Sequence, residues 1–158
     1  MRTDNVPILR ARPDYLYHYT CSHSRTAIGG SGQIFPGKDL LTTNVLDTAD
    51  EATRMITSLG WFTSHGDIGK HNAALVGLDN VDLKCNRWEH RYRVVSRHAK
   101  LLVPWHMNRL AWPEYIVTAL EQWPGVDVGS WYVSSRPVPV VYDPAPVSSS
   151  KSGWAALA

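Results

Sequence analysis

Tyr15-Leu16-Tyr17-His18-Tyr19-Thr20-Cys21 is the stretch on which the reading of this chain turns. The run is apolar and aromatic, the composition of extended backbone, with one histidine at its centre. Side chains alternate across a strand, so Leu16, His18 and Thr20 are predicted to share one face. Tyr15, Tyr17, Tyr19 and Cys21 then share the other. His18 and Thr20 would point together into one cleft. A strand histidine is either a core residue with both nitrogens satisfied or a group that faces a ligand, and the run itself leaves both open. Beyond it, Ser22-His23-Ser24 and Ala27-Ile28 read as a short helix. Gly29-Gly30-Ser31-Gly32 reads as a turn rather than a dinucleotide loop, and Gln33-Ile34-Phe35-Pro36 as a second apolar entry.

At 158 residues, 44% hydrophobic and 19% charged, the chain has the composition of a globular protein long enough to bury a core without staples. One domain is expected over residues 1–143, with a flexible tail over 144–158 that includes the serine-rich Ser148-Ser149-Ser150-Lys151-Ser152. A net charge of +2 neither requires nor excludes a nucleic-acid partner. Met1-Arg2-Thr3-Asp4-Asn5 lacks a secretory pattern, no apolar run approaches membrane-spanning length, and the chain reads as cytoplasmic. Cys21 and Cys85 form no CxxC pair and are expected to stay reduced. Zinc at His18, Cys21 and His23 is disfavoured because His18 and Cys21 face opposite ways, so no metal is expected.

Further along, Asp47 to Met55 reads as a capped turn or short helix leading to Trp61-Phe62-Thr63-Ser64, a strand with Trp61 and Thr63 on one face and Phe62 and Ser64 on the other. Cys85 to Val95 alternates. Trp88, His90, Tyr92 and Val94 lie on one side, and Glu89, Arg91, Arg93 and Val95 on the other. The charged face reads in two ways: a solvated strand in which Glu89 pairs with Arg91 or Arg93, or a cationic ledge for phosphate built on Arg87, Arg91 and Arg93. Lys100 to Trp105 reads as a short strand. Pro113 to Trp123 is the clearest helix, with Ile116, Ala119, Leu120 and Trp123 inward and Glu114 and Glu121 toward solvent. Gly129 to Val140 contains a late strand that ends in Pro-Val-Pro.

The order of these motifs resembles the ADP-ribosyltransferase superfamily, in particular small bacterial and phage members such as the DarT-type toxins and the RNA 2′-phosphotransferases. His18 and Thr20 match the first NAD-contacting strand, and Trp61-Phe62-Thr63-Ser64 is similar to the second. The resemblance implies an α+β fold, a split and mainly antiparallel twisted sheet around an NAD cleft with few helices. It implies NAD as substrate, with ADP-ribose passed to a macromolecule such as a DNA or RNA base. His18 and Thr20 would orient the nicotinamide ribose, Trp61 or Tyr19 would stack on nicotinamide, and Thr63 and Ser64 would brace the pocket. The family's glutamate opens the late strand, where this chain has Trp131, which becomes a pocket wall. Glu89 is the alternative acid. A binding or inhibitor module that kept the fold without the acid is the competing expectation.

Overall fold

The aromatic run folds as the extended backbone that its composition favours, and β1 (Tyr17–Thr20) lies near the middle of the sheet. The computed structural model describes residues 12–36, 50–67, 88–122 and 124–144. Among them run α1 (Ser22–Ser31), β2 (Gln33–Ile34), α2 (Glu51–Thr57), β3 (Gly60–Thr63), β4 (His90–Val94), α3 (Ser96–Ala99), β5 (Val103–Pro104), α4 (Trp105–Asn108), α5 (Glu114–Glu121), β6 (Trp131–Ser134) and β7 (Val138–Tyr142). The fold is α+β, with one seven-stranded sheet in the order β2-β7-β4-β1-β3-β6-β5 and every pairing antiparallel.

The pairings on the two sides of β1 are unequal. With β4 it keeps four register positions, from Tyr17 opposite Arg93 to Thr20 opposite His90. With β3 it keeps one, Tyr17 opposite Thr63. β6 and β7 are joined by residues 135–137 although β3, β1 and β4 stand between them, so the sheet must curl for so short a link to close.

The two faces bury different cores. One gathers Leu16, Phe62, Tyr92, Val94, Tyr132, Val138 and Val140 beneath Ile28 of α1 and Leu102. The other packs Trp61, Trp105 and Trp131 with Ile116, Val117 and Leu120 of α5. Pro113 precedes the first turn of α5, as the sequence predicts, while the buried stripe is Ile116, Val117 and Leu120 with Ala119 exposed. Asp50 starts α2 by accepting from the Thr53 N–H at 2.7 Å.

Four expectations are corrected. Gly29 and Gly30 lie inside α1 rather than in a turn, and the left-handed stop comes at Gly32, with φ of 68° and its N–H bonded to the Ile28 carbonyl. The short strand expected over Lys100 to Trp105 is cut to two residues, Val103–Pro104, with a one-turn helix on either side. Glu121 does not face solvent: its carboxylate accepts from Trp105 Nε1 at 2.8 Å and pairs with Arg109 at 2.9 Å. Cys21 is disulfide-bonded rather than reduced, and Cys85 lies outside the described residues. The tail expected over residues 144–158 lies almost wholly outside the described residues, as does Trp123. No described helix is long and apolar enough to cross a membrane.

Candidate functional site around β1

His18 stands where β1 and β3 stop pairing. Its Nδ1 lies 2.8 Å from the Trp61 carbonyl oxygen, so an imidazole takes the place that a β1 backbone donor holds in a continuous ladder. A carbonyl only accepts, which assigns the proton to Nδ1 and makes Nε2 the acceptor nitrogen of the neutral ring. The ring is half-buried and lies 5.6 Å from that of Phe62. Thr20 shares its face, as alternation predicts, and is fully buried opposite His90.

At the Thr20 end the polar groups form a chain. His90 Nε2 lies 2.9 Å from Ser22 Oγ, and its Nδ1 lies 3.0 Å from the Tyr142 hydroxyl. Glu89 Oε2 accepts from the Ser22 N–H at 3.1 Å, capping the start of α1, with the side chain 44% exposed. Arg25 lies over the Tyr142 ring at 4.6 Å.

On the opposite face the arginines turn inward. Arg91 is buried, donates to the Gly66 and Asp143 carbonyls, pairs with the Asp143 carboxylate at 3.2 Å and lies 4.7 Å above the Tyr17 ring. Arg93 pairs with the same carboxylate at 3.3 Å, though without hydrogen-bond alignment at Nε, and covers Tyr15. Of the expected phosphate ledge, Arg93 alone among the described residues keeps a partly exposed side chain. Arg87 lies outside the described residues.

Beside Tyr19 is a second polar centre. The Tyr19 hydroxyl donates to the His65 carbonyl at 3.0 Å, and the His65 N–H donates to Thr63 Oγ1 at 3.1 Å. Thr63 Oγ1 lies 3.1 Å from Ser130 Oγ, which donates to the Asp127 carbonyl at 2.7 Å. The network closes on the side chains: His65 Nε2 lies 2.8 Å from Asp127 Oδ2, and the two are 22% and 23% exposed. Ser64, half-buried, adds its N–H to the Ser130 carbonyl at 3.0 Å. Burial pushes the Tyr19 phenol well above its ordinary range, against the pull of the Arg91 charge, and raises Tyr17 for the same reason.

Trp61 and Trp131 both sit in the tryptophan core, their rings 6.1 Å apart, which leaves neither face open to solvent. Trp61 Nε1 donates to the Ile56 carbonyl at 2.9 Å. Trp131 is 1% exposed, and its Nε1 has no hydrogen-bond partner among the described residues. The expected site residues therefore divide: His18 and Thr20 on one face of β1, Tyr19, Thr63, Trp61 and Trp131 on the other. The structure adds His65, Asp127 and Ser130. Only long-range pairing joins His65 to Asp127, 62 residues away, so no local spacing announces them.

A cavity of about 340 Å³ lies elsewhere, lined among others by Leu59, Leu102, Val133, Arg136 and Val138 at the β6–β7 link. It touches none of the expected site residues, and the hydrogen-bonded groups around β1 are the better candidate because they bring several titratable and hydrogen-bonding side chains together. The described residues contain no group of three or more His, Cys, Asp or Glu placed to hold a metal ion. No family model, curated protein or solved structure matches the chain.

Proposed function

We propose that this chain is an ADP-ribosyltransferase-like protein that binds NAD where β1 and β3 part and transfers ADP-ribose to a nucleic-acid base. The observation that carries the reading is the single register position between these strands, with the His18 imidazole set on the Trp61 carbonyl at the point of parting. The protonated Nδ1 fixes the ring against β3, and the imidazole is assigned to the nicotinamide ribose. Thr20 supports the strand from its buried side.

In the reaction the C1′–N bond of NAD breaks, and its electron pair leaves with neutral nicotinamide. Positive charge develops on the ribose. Glu89, held by the Ser22 N–H, is the carboxylate on the Thr20 side of β1 and stabilises that charge. Trp61 acts from within the core by presenting its carbonyl to His18, and Trp131 backs β6 rather than stacking on a ligand.

Titration calorimetry with NAD tests the reading. Binding that is weakened about tenfold or more in His18→Ala is expected. Equal affinity in both proteins, or no heat in either, contradicts it. A second reading, a binding module without turnover, is favoured by one observation: the place expected for the acid is filled by the wholly buried Trp131. Under that reading NAD binds and no nicotinamide appears.

A further inference from the structure

From the contacts of Ser22 we infer that its hydroxyl is an acceptor of ADP-ribose within the chain itself, with His90 as the general base that takes its proton. The inference rests on the transferase reading above and names a substrate of the same site. Ser22 opens α1 and is exposed. Its Oγ lies 2.9 Å from His90 Nε2, and His90 Nδ1 lies 3.0 Å from the Tyr142 hydroxyl. Ser31, Ser58 and Ser134 spend their hydroxyls on backbone carbonyls, whereas that of Ser22 meets a nitrogen able to take a proton. A serine, an imidazole and a third group on the far ring nitrogen form the arrangement that makes a weak nucleophile usable. Tyr142 is the positioning residue: with the ring proton on Nδ1 and donated to its oxygen, Nε2 faces Ser22 as an acceptor. His90 is buried and stands opposite Thr20 in the β1–β4 register, so the pair belongs to the face of β1 that carries His18.

The neighbours choose the electrophile. Glu89 Oε2 is held 3.1 Å from the Ser22 nitrogen, and Oε1 lies 3.9 Å from His90 Nε2. The carboxylate assigned to the ribosyl cation and the hydroxyl assigned to capture that cation therefore meet at one residue. A carboxylate here opposes the anionic transition states of acyl and phosphoryl transfer and favours a carbon that gains positive charge. Arg25 follows Ser22 by three residues on α1, is exposed, and has its guanidinium 4.6 Å from the centre of the Tyr142 ring, which suits the diphosphate of ADP-ribose. In the step, Ser22 Oγ forms its bond to C1′ as the C1′–N bond breaks and its electron pair leaves with neutral nicotinamide. The hydroxyl proton passes to His90 Nε2. The imidazolium lies near the Glu89 carboxylate and returns the proton to water, so atoms and charge balance.

The test incubates the full chain with NAD labelled in its ADP-ribose half, without nucleic acid, and reads the label on the chain, nicotinamide in solution and the modified residue by peptide mass mapping. Wild type is expected to carry the label on Ser22, and Ser22→Ala and His90→Gln to lose it about a hundredfold or more. Ser22→Thr keeps a hydroxyl and should recover labelling at that position. Thermal melting close to that of the wild type shows that the variants fold, and the residue mapped in the wild type decides the matter where one does not. Long-range proton–nitrogen correlation spectra should place the His90 proton on Nδ1 in the wild type and lose that preference in Tyr142→Phe. Nicotinamide release with no label on the chain, label mapped to another residue, undiminished label in His90→Gln, or a wild-type proton on Nε2 overturns the inference and leaves the transferase reading standing. A wild type that releases no nicotinamide overturns that reading, and this inference with it.

Discussion

His18 Nδ1 donates to the Trp61 carbonyl oxygen across 2.8 Å, and this side-chain bond stands where the β1–β3 ladder has already lapsed. A strand that gives up its backbone pairing must satisfy its polar groups in another way, and here an imidazole does so. The proposed NAD site is assigned to that point, near the middle of the sheet rather than at its edge.

The Arg109–Glu121 pair is the electrostatic anchor of the tryptophan core. Both side chains are about nine-tenths buried, and the carboxylate also takes the Trp105 N–H. Removing the acid strands a buried guanidinium and an indole donor together. Glu121→Ala is expected to cost about 3 kcal/mol or more in denaturant unfolding. Glu114→Ala, on the exposed side of the same helix, should stay within about 0.5 kcal/mol. Equal effects would mean that the pair does not hold the core.

Arg91 and Arg93 meet at Asp143 but differ in exposure, so their loss should read differently. Arg91→Ala is expected to lower stability by about 2 kcal/mol or more, because a buried side chain with several carbonyl partners is deleted. Arg93→Ala should cost under about 1 kcal/mol. Its signature is in binding: the salt dependence of single-stranded oligonucleotide affinity should flatten by about one phosphate contact. An unchanged salt slope would remove Arg93 from the nucleic-acid surface.

Much of the β framework was legible in the sequence, because alternation is a local signal. Tyr15 to Cys21, Trp61 to Ser64 and His90 to Val94 take the faces that their periodicity assigns, and Pro113 marks the start of α5. The helices of Ser96–Ala99 and Trp105–Asn108 were not legible, since four residues complete barely one turn and show no period. Glu121 was misplaced because a carboxylate on a helix reads as solvated unless its distant partner is known, and here Trp105 and Arg109 supply the partners from another element. Arg91 escaped for the same reason, its acceptors lying at Gly66 and Asp143. The disulfide at Cys21 carries no local mark at all, and the His65–Asp127 pair needs the fold to bring β3 and β6 together before it exists.

Tyr19 gives a pH dependence of definite sign. Its folded pKa lies above the ordinary value of 10.0, since burial disfavours the phenolate. The stability that it contributes is fully present below pH 10.0 and is lost as pH rises from there through the folded pKa, because the unfolded chain releases the proton first. Unfolding free energy should therefore decline above about pH 10 and decline less steeply in Tyr19→Phe. Identical alkaline slopes in the two proteins would show that another group controls that limb.

Nicotinamide release from NAD, followed by chromatography over time with purified full-length chain, tests the transferase reading most directly. The expected result is enzyme-dependent release in the wild type, reduced about a hundredfold or more in Glu89→Gln with NAD affinity kept, and reduced together with affinity in His18→Ala. Wild-type protein that binds NAD and releases nothing contradicts turnover and leaves the binding module. Wild-type protein that neither binds nor releases contradicts the assignment of NAD to β1 altogether.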